Sequence, residues 1–333
     1  MRVVAYRSSL PISERESLVD VEAPVPIPGP RDLLVRVHAV SVNPVDVKQR
    51  QSSDPGGEPT VLGWDAAGVV EAIGAEVTLF EVGDEVYYAG AIDRPGTNSQ
   101  LHAVDERIVG PKPTTLTFSE AAALPLTSIV AWEALFDRFA LTAKSTGTLL
   151  VMGAAGGAGS MAVQLAAART DMTIVGTASD PESQSWVREL GADQVIDHHD
   201  LVANVKAVAP AGVGYVFSTH SADNVGAFAE ILNPGGEVVA IDDPEALDLL
   251  PLKSKSISWH WELMFTRSLF RTDDMVRQHE LLSEVAKLVD AGTVRTTMTI
   301  ELEPFDAATM RHAHELLESG HTRGKVVVTG FPA

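Results

Sequence analysis

The feature that most constrains this chain is a glycine-rich run, Met152-Gly153-Ala154-Ala155-Gly156-Gly157-Ala158-Gly159-Ser160. An apolar stretch, Thr148-Leu149-Leu150-Val151, precedes it, and an alanine-rich one at 161–168 follows. Strand, glycine loop and helix in that order present bare backbone N–H groups at a helix N-terminus. The helix dipole adds roughly half a positive charge there. That combination takes a dinucleotide pyrophosphate, with Gly153, Ala154, Gly156, Gly157, Ala158 and Gly159 as its cradle. A tight turn whose glycines serve packing alone is the competing reading, and the flanking strand and helix argue against it.

At 333 residues the chain has room for two domains of ordinary size. With 45% apolar and 21% charged residues it has the composition of a soluble globular protein. No apolar run approaches the roughly 20 residues of a membrane span. The opening Met1-Arg2-Val3-Val4-Ala5-Tyr6 reads as a strand, not as the apolar core of a signal peptide. Cysteine is absent, so disulfides and thiolate zinc sites are excluded and a cytoplasmic setting is expected. A formal net charge of −20 argues against nucleic-acid or anionic-membrane partners. Phosphates of a cofactor must therefore find local positive potential against that global field.

The middle of the chain alternates strands with helices. Strands are expected at 148–152, 172–177, 194–197, 215–219, 237–241 and 257–260. Helices are expected from the glycine loop to about 169, at 181–190 and at 223–232, with a turn at Asn233-Pro234-Gly235-Gly236. This spacing implies a doubly wound parallel sheet with right-handed crossovers, an α/β architecture. The first 110 residues differ: apolar segments at 33–40, 67–73 and 85–88 are separated by Pro/Gly turns, and no long helical period appears. After about residue 265 come an amphipathic stretch at 274–291, a strand at 297–302, a helix at 306–319 and a closing strand at 325–329.

Several segments together resemble the medium-chain dehydrogenase/reductase superfamily, in its quinone-oxidoreductase-like branch of zinc-type alcohol dehydrogenase-like proteins. They are Ser41-Val42-Asn43-Pro44-Val45-Asp46-Val47-Lys48, Leu62-Gly63-Trp64-Asp65-Ala66-Ala67-Gly68-Val69-Val70, Val82-Gly83-Asp84-Glu85-Val86-Tyr87, the segment 121–127, the glycine loop, Leu190-Gly191-Ala192-Asp193, the segment 259–267, and Gly324-Lys325-Val326-Val327. Their order and spacing cover essentially the whole chain. The resemblance implies a GroES-like β-rich catalytic domain at 1–125 and 261–333, a Rossmann domain at 126–260, and an active site in the cleft between them.

Zinc alcohol dehydrogenases of this superfamily hold their catalytic metal with two cysteines and a histidine. In this chain the first ligand position is Asn43, the Gly-His-Glu motif reads Gly63-Trp64-Asp65, and the four-cysteine structural lobe is missing. The ten histidines do not cluster: His198-His199 reads as solvated loop, His312 and His314 point different ways on a helix, and His102 is a lone candidate. No catalytic metal is expected.

An NAD enzyme usually places Asp or Glu at the end of the second strand to grip the ribose 2′-OH. The aligned residue is Ala178, within Thr177-Ala178-Ser179-Asp180. A small residue leaves room for a 2′-phosphate and Ser179 offers it a hydroxyl, so NADPH is expected in preference to NADH. Asp180 departs from the basic residue often found there; Arg323 or Lys325 would supply charge instead. The resemblance also places Thr127, Ser218, Thr219, His220, Ile241, Phe265 and Arg267 about the cofactor.

Without a Lewis acid, alcohol oxidation is hard and reduction of a quinone or α,β-unsaturated carbonyl is easier. Asn43 is expected to donate to the substrate oxygen or a ribose hydroxyl. Asp46 would hold a loop or a water, or simply cap a turn. Lys48 would give cationic support or be solvated. Trp64 would form an apolar wall or be core. Tyr87 or Tyr88 offers a phenolic proton, one of the two pointing inward. The resulting reading is a zinc-independent, NADPH-dependent quinone or enone reductase, a homodimer joined through the Rossmann domain. The alternatives are an alcohol dehydrogenase acting on a small alcohol or aldehyde, and a non-catalytic NADPH-binding structural protein.

Overall fold

The apolar runs between residues 148 and 261 pair into one parallel sheet. Its strand order is Gln194–Ile196, Thr173–Thr177, Thr148–Val151, Val213–Ser218, Leu232–Ala240 and Ser258–Trp261. Read in chain order this is 3-2-1-4-5-6, the doubly wound arrangement. Leu149, Leu150 and Val151 are all fully buried, as a central parallel strand covered on both faces requires. Helices Gly157–Arg169, Pro181–Glu189, Leu201–Val208 and Val225–Ile231 make the crossovers. Val175, Val205, Val216, Phe228 and Val238 fill the core against the last two of these.

The computed structural model describes residues 1–331. Those residues form two units: Thr127–Met264, built on the parallel sheet, and Met1–Leu126 together with the segment from Phe265 onward. In the second of these, a seven-stranded sheet runs Met298–Leu302, Lys325–Val328, Asp32–Val42, Asp65–Ile73, Glu85–Ala89 and Val109–Pro111, with Leu101–Asp105 also paired to Asp32–Val42. All pairings are antiparallel except that of Met298–Leu302 with Lys325–Val328. A separate three-stranded sheet joins Val19–Glu22, Arg2–Tyr6 and Thr60–Val61. Helix Arg277–Asp290 buries Leu281, Leu282, Val285 and Val289, the face its amphipathic period marks.

Some elements differ from the sequence expectation. Helix Pro44–Ser52 lies in the stretch read as all-β. It carries only two apolar positions, so no helical period shows. Pro44 at its first turn and the Asp46 carboxylate, which accepts from the Asn43 N–H at 2.8 Å, start it. Helix Leu201–Val208, capped by Asp200, was also not foreseen. Pro234-Gly235-Gly236 runs inside the strand Leu232–Ala240, where the register slips between Val213 and Tyr215, in place of a free turn. The sixth strand is one residue later than expected, because Ile257 packs inward against the core.

Candidate active site

In the parallel-sheet unit the glycine loop crosses the C-terminal end of the first strand. Gly153 has φ +62°, and a Cβ there would meet Thr219 Oγ1 at 2.5 Å. Its N–H donates to Thr177 Oγ1 at 2.9 Å, and Ala154 N–H donates to Thr177 O at 3.2 Å. Thr219 Oγ1 in turn donates to Met152 O at 3.3 Å. The ends of three strands thus fix the loop. Gly156 is the N-cap of helix Gly157–Arg169, no side chain caps that end, and no acidic residue sits in its first turn. The amides of the first turn have no intrahelical acceptor.

Two glycines separate fold from function. A Cβ on Gly159 would stand 2.2 Å from Gly153 O, so the loop's own closure demands glycine. A Cβ on Gly156 would meet only that same oxygen, at 3.4 Å. Ordinary packing tolerates that distance, so nothing in the protein itself requires glycine at 156. A cradle left open beside bare amides is what a pyrophosphate needs.

At the end of the second strand, Ala178 is buried and its N–H donates to Ile196 O at 3.0 Å. Ser179 and Asp180 are exposed. Asp180 Oδ1 accepts from Ser183 N–H at 2.9 Å and caps the following helix, and the Ser183 hydrogen bonds hold its carboxyl below the usual range. Its carboxylate is therefore engaged with its own helix. The pairing of Thr177 with Ile196 places Asp197, His198 and His199 next along the sheet from Ala178. In sequence the two histidines read as solvated loop, and the parallel register brings them to this edge. With Asp197 they form the one group of three or more His, Asp or Glu residues, among the described residues, whose ligand atoms all lie within 4.8 Å of one another; both histidines are exposed, and this is a clustering not expected from the sequence.

The remaining expected cofactor residues of this unit divide by exposure. Ser218 is buried, its hydroxyl 2.9 Å from Ser221 Oγ, which donates to Asp242 Oδ1 at 2.6 Å. Ile241 donates its N–H to Ser218 O at 3.0 Å. His220 is exposed with Nδ1 2.8 Å from Thr219 Oγ1, and Thr127 is buried in helix Pro125–Trp132.

The β-rich unit holds a second constellation. Asn43, Asp46, Asp65 and Lys325 are all buried. Asn43 Nδ2 donates to Asp65 Oδ2 at 2.8 Å and to Ser41 O at 3.3 Å. Lys325 Nζ donates to Val42 O at 2.9 Å and to Asn43 Oδ1, and stands 3.1 Å from Asp65 Oδ2. Asp65 Oδ1 accepts from Leu126 N–H at 2.7 Å. Burial raises the Asp65 carboxyl, with the Lys325 charge opposing it. Burial pushes Asp46 up to about 7, with the Asn43 N–H and Lys325 pulling the other way. Sequence reasoning met Asp65 only as a replaced motif position. Its signal is a charged residue opening a strand whose next five residues, Ala66 to Val70, carry no polar side chain.

The sign of the Asp46 shift gives a measurable pH dependence. Its folded value lies above the carboxylate's ordinary 3.8. Its stabilising contribution is therefore present below that ordinary value and is lost as pH rises through about 7. Relative to Asp46→Asn, the wild-type protein is expected to lose stability between pH 4 and 8, by at most about 1.4 kcal/mol per pH unit. Urea titrations of both proteins across that range measure it, and parallel curves would refute it.

Several of the expected residues have other roles in the structure. Tyr87 is fully buried and donates its hydroxyl to Leu282 O at 2.6 Å, and burial raises its phenol well above the ordinary value, so it is no accessible proton donor. Tyr88 is equally buried, 3.1 Å from His102 Nδ1, so neither tyrosine faces a substrate. His102 is a structural residue: Nε2 lies 3.0 Å from Pro95 O, and burial depresses it to about 4. Lys325 serves Asp65 and Asn43 and has no charge to spare for a 2′-phosphate. Asn43 spends its amide N–H groups on Asp65 and Ser41, so it positions neighbours and does not reach a substrate oxygen. Trp64 is buried, donates Nε1–H to Ala91 O at 3.3 Å, and packs edge-on to Phe265 at 5.8 Å. Arg267 pairs with Asp274 at 3.1 Å. Arg323 is half-buried just before the last strand, and Lys48 is exposed on helix Pro44–Ser52.

Comparison with known proteins agrees with both units. A family model described as "Alcohol dehydrogenase GroES-like domain" matches residues 29–132, and one described as "Zinc-binding dehydrogenase" matches 190–328. A zinc-type alcohol dehydrogenase-like protein of Staphylococcus aureus is 39% identical, over 98% of this chain and 99% of its own. The human mitochondrial NAD(P)H oxidoreductase RTN4IP1 is 31% identical over 90% of this chain and 82% of its own. Among solved structures, a provisionally assigned zinc-dependent alcohol dehydrogenase from Rhizobium etli superposes with TM-score 0.95 at 50% identity, covering 100% of this chain and 99% of its own. The Coxiella burnetii quinone oxidoreductase superposes with TM-score 0.81 at 26% identity, covering 99% of each chain. The chain belongs to the medium-chain dehydrogenase/reductase superfamily, in its quinone-oxidoreductase-like branch. It is an oxidoreductase of that family.

The zinc named in one family description asks for donors this unit does not offer. Tetrahedral zinc takes thiolate, imidazole or carboxylate ligands. Trp64 has no lone pair to give and its N–H is used, cysteine is absent, and Asp65 and Asn43 already hold an ammonium. The residues present do not fit the metal.

Proposed function

We propose that the protein transfers hydride from NADPH to a quinone or an α,β-unsaturated carbonyl without a catalytic metal. The observation that carries this reading is the uncapped loop at Gly156 combined with Ala178, where a nucleotide 2′-phosphate would otherwise meet a carboxylate. The nucleotide supplies the hydride. The chain supplies bare amides for the pyrophosphate, a small residue at the 2′ position and, along the same edge, the exposed imidazoles of His198 and His199 as hydrogen-bonding groups. The relatives named for NAD(P)H and quinone oxidoreduction support the reading.

Calorimetric titration with NADPH and NADH, followed by turnover on a panel of quinones and enals, tests it. Tighter NADPH binding and quinone consumption are expected; equal dissociation constants, or no turnover with any acceptor, would count against it. Ala178→Asp is expected to weaken NADPH by about tenfold through like-charge repulsion with the 2′-phosphate and to spare NADH.

We also propose a homodimer formed by a second copy at the free edge of the parallel sheet. Ser258–Trp261 is the terminal strand, and Trp261 and Leu263 beside it are 52% and 48% exposed. An unpaired strand edge with apolar side chains is a template for another strand. Sedimentation at micromolar concentration is expected to give twice the chain mass, falling to the monomer in Trp261→Glu. A monomer for the wild-type protein would remove the proposal.

A further inference from the structure

The cage around Lys325 has the make-up of a cation site. Its acceptors are three oxygens, Val42 O, Asn43 Oδ1 and Asp65 Oδ2, set on two different strands and the turn between strand and helix. An ammonium carries three N–H donors and no acceptor. Three acceptors thus meet three donors. Oxygen donors of this kind, carbonyl, amide and carboxylate, are also what hard metal ions choose. Each partner is fixed in turn: Asn43 Nδ2 binds Asp65 and Ser41 O, and Asp65 Oδ1 is bound by Leu126 N–H. Beside the cage, Asp46 Oδ1 is one of the buried side-chain atoms that has no hydrogen-bond partner.

We propose that this is a cation site whose resident cation is the chain's own Lys325 ammonium, which makes the unit independent of a divalent metal. A metal could enter only by expelling the lysine, because every oxygen of the cage is already engaged. The ion pair supports this: Lys325 and Asp65 carry one charge of each sign, and both are buried. The inference stands apart from the nucleotide reading, whose pyrophosphate loop and 2′ position lie in the other unit.

The test uses the full-length protein and three variants. Wild-type protein grown with zinc and dialysed against a chelator is expected to hold well under one zinc per chain by elemental analysis. Its melting temperature should not respond to propylammonium chloride beyond the effect of matched sodium chloride. Lys325→Ala opens a space the length of propylammonium. It is expected to melt lower than the wild-type protein and to recover part of that loss with propylammonium but not with tetramethylammonium, which has no N–H. One retained zinc per wild-type chain, an unchanged melting point in Lys325→Ala, or equal rescue by tetramethylammonium would each overturn the proposal. If Lys325→Ala does not fold, Lys325→Met is compared in the wild-type and Asp65→Asn backgrounds. A smaller loss in the Asp65→Asn background supports the cage, and equal losses overturn it.

Discussion

Lys325→Met is expected to lower the unfolding free energy by about 3–5 kcal/mol, the range for removing one partner of a buried ion pair. The side-chain volume is nearly kept, so the loss is electrostatic. Asp65 is fully buried and would keep only the Asn43 and Leu126 hydrogen bonds. Burial already raises its carboxyl, and without the ammonium it would rise further and take up a proton. The deficit should therefore grow with pH over the carboxylate range. Urea unfolding at several pH values measures both the size and the slope. A loss below about 1 kcal/mol would mean that the pair behaves as an exposed one.

Gly156→Val is expected to cut nucleotide affinity by about 100-fold while leaving the fold intact. The backbone at 156 sits at φ −75°, ψ 174°, an extended conformation any residue adopts. The added Cβ meets only Gly153 O, at 3.4 Å. The remaining side-chain atoms project into the space over the first-turn amides. Two lost charge-assisted hydrogen bonds at about 1.5 kcal/mol each give that factor. Gly159→Ala provides the contrast: its Cβ would overlap Gly153 O at 2.2 Å, an overpacking that costs about 1–3 kcal/mol in stability. Calorimetric titration of NADPH into folded Gly156→Val settles the point; an unchanged affinity would show that the loop does not hold the phosphates.

What could be read from the chain and what could not divide along physical lines. The parallel sheet and its glycine loop were legible because their signals are local: strand, loop and helix follow one another within about twenty residues. Helix Pro44–Ser52 was hidden because a short helix with two apolar positions has no period to detect. The roles of Tyr87 and Asn43 were misjudged for a different reason. Their residue types suit proton or hydrogen-bond donation, but the Leu282 carbonyl, 195 positions from Tyr87, accepts the hydrogen bond of its hydroxyl. The Asn43–Asp65–Lys325 constellation brings residues together across 22 and 282 positions. No window along the sequence contains them at once, and the family likeness supplied their motifs without their contacts.

The discontinuity of the β-rich unit bears on how a nascent chain matures. Residues 127–264 are contiguous and can organise as soon as they leave the ribosome, since domains fold as units during synthesis. Asp65 is made well before its counter-ion, which arrives only with the strand Lys325–Val328, after the whole of the 127–264 unit. Until then an acidic side chain destined for a dry interior has nothing to neutralise it, and the half-made sheet must stay open to water. The dinucleotide-type unit can thus be committed before the β-rich unit receives the lysine that neutralises its buried carboxylate.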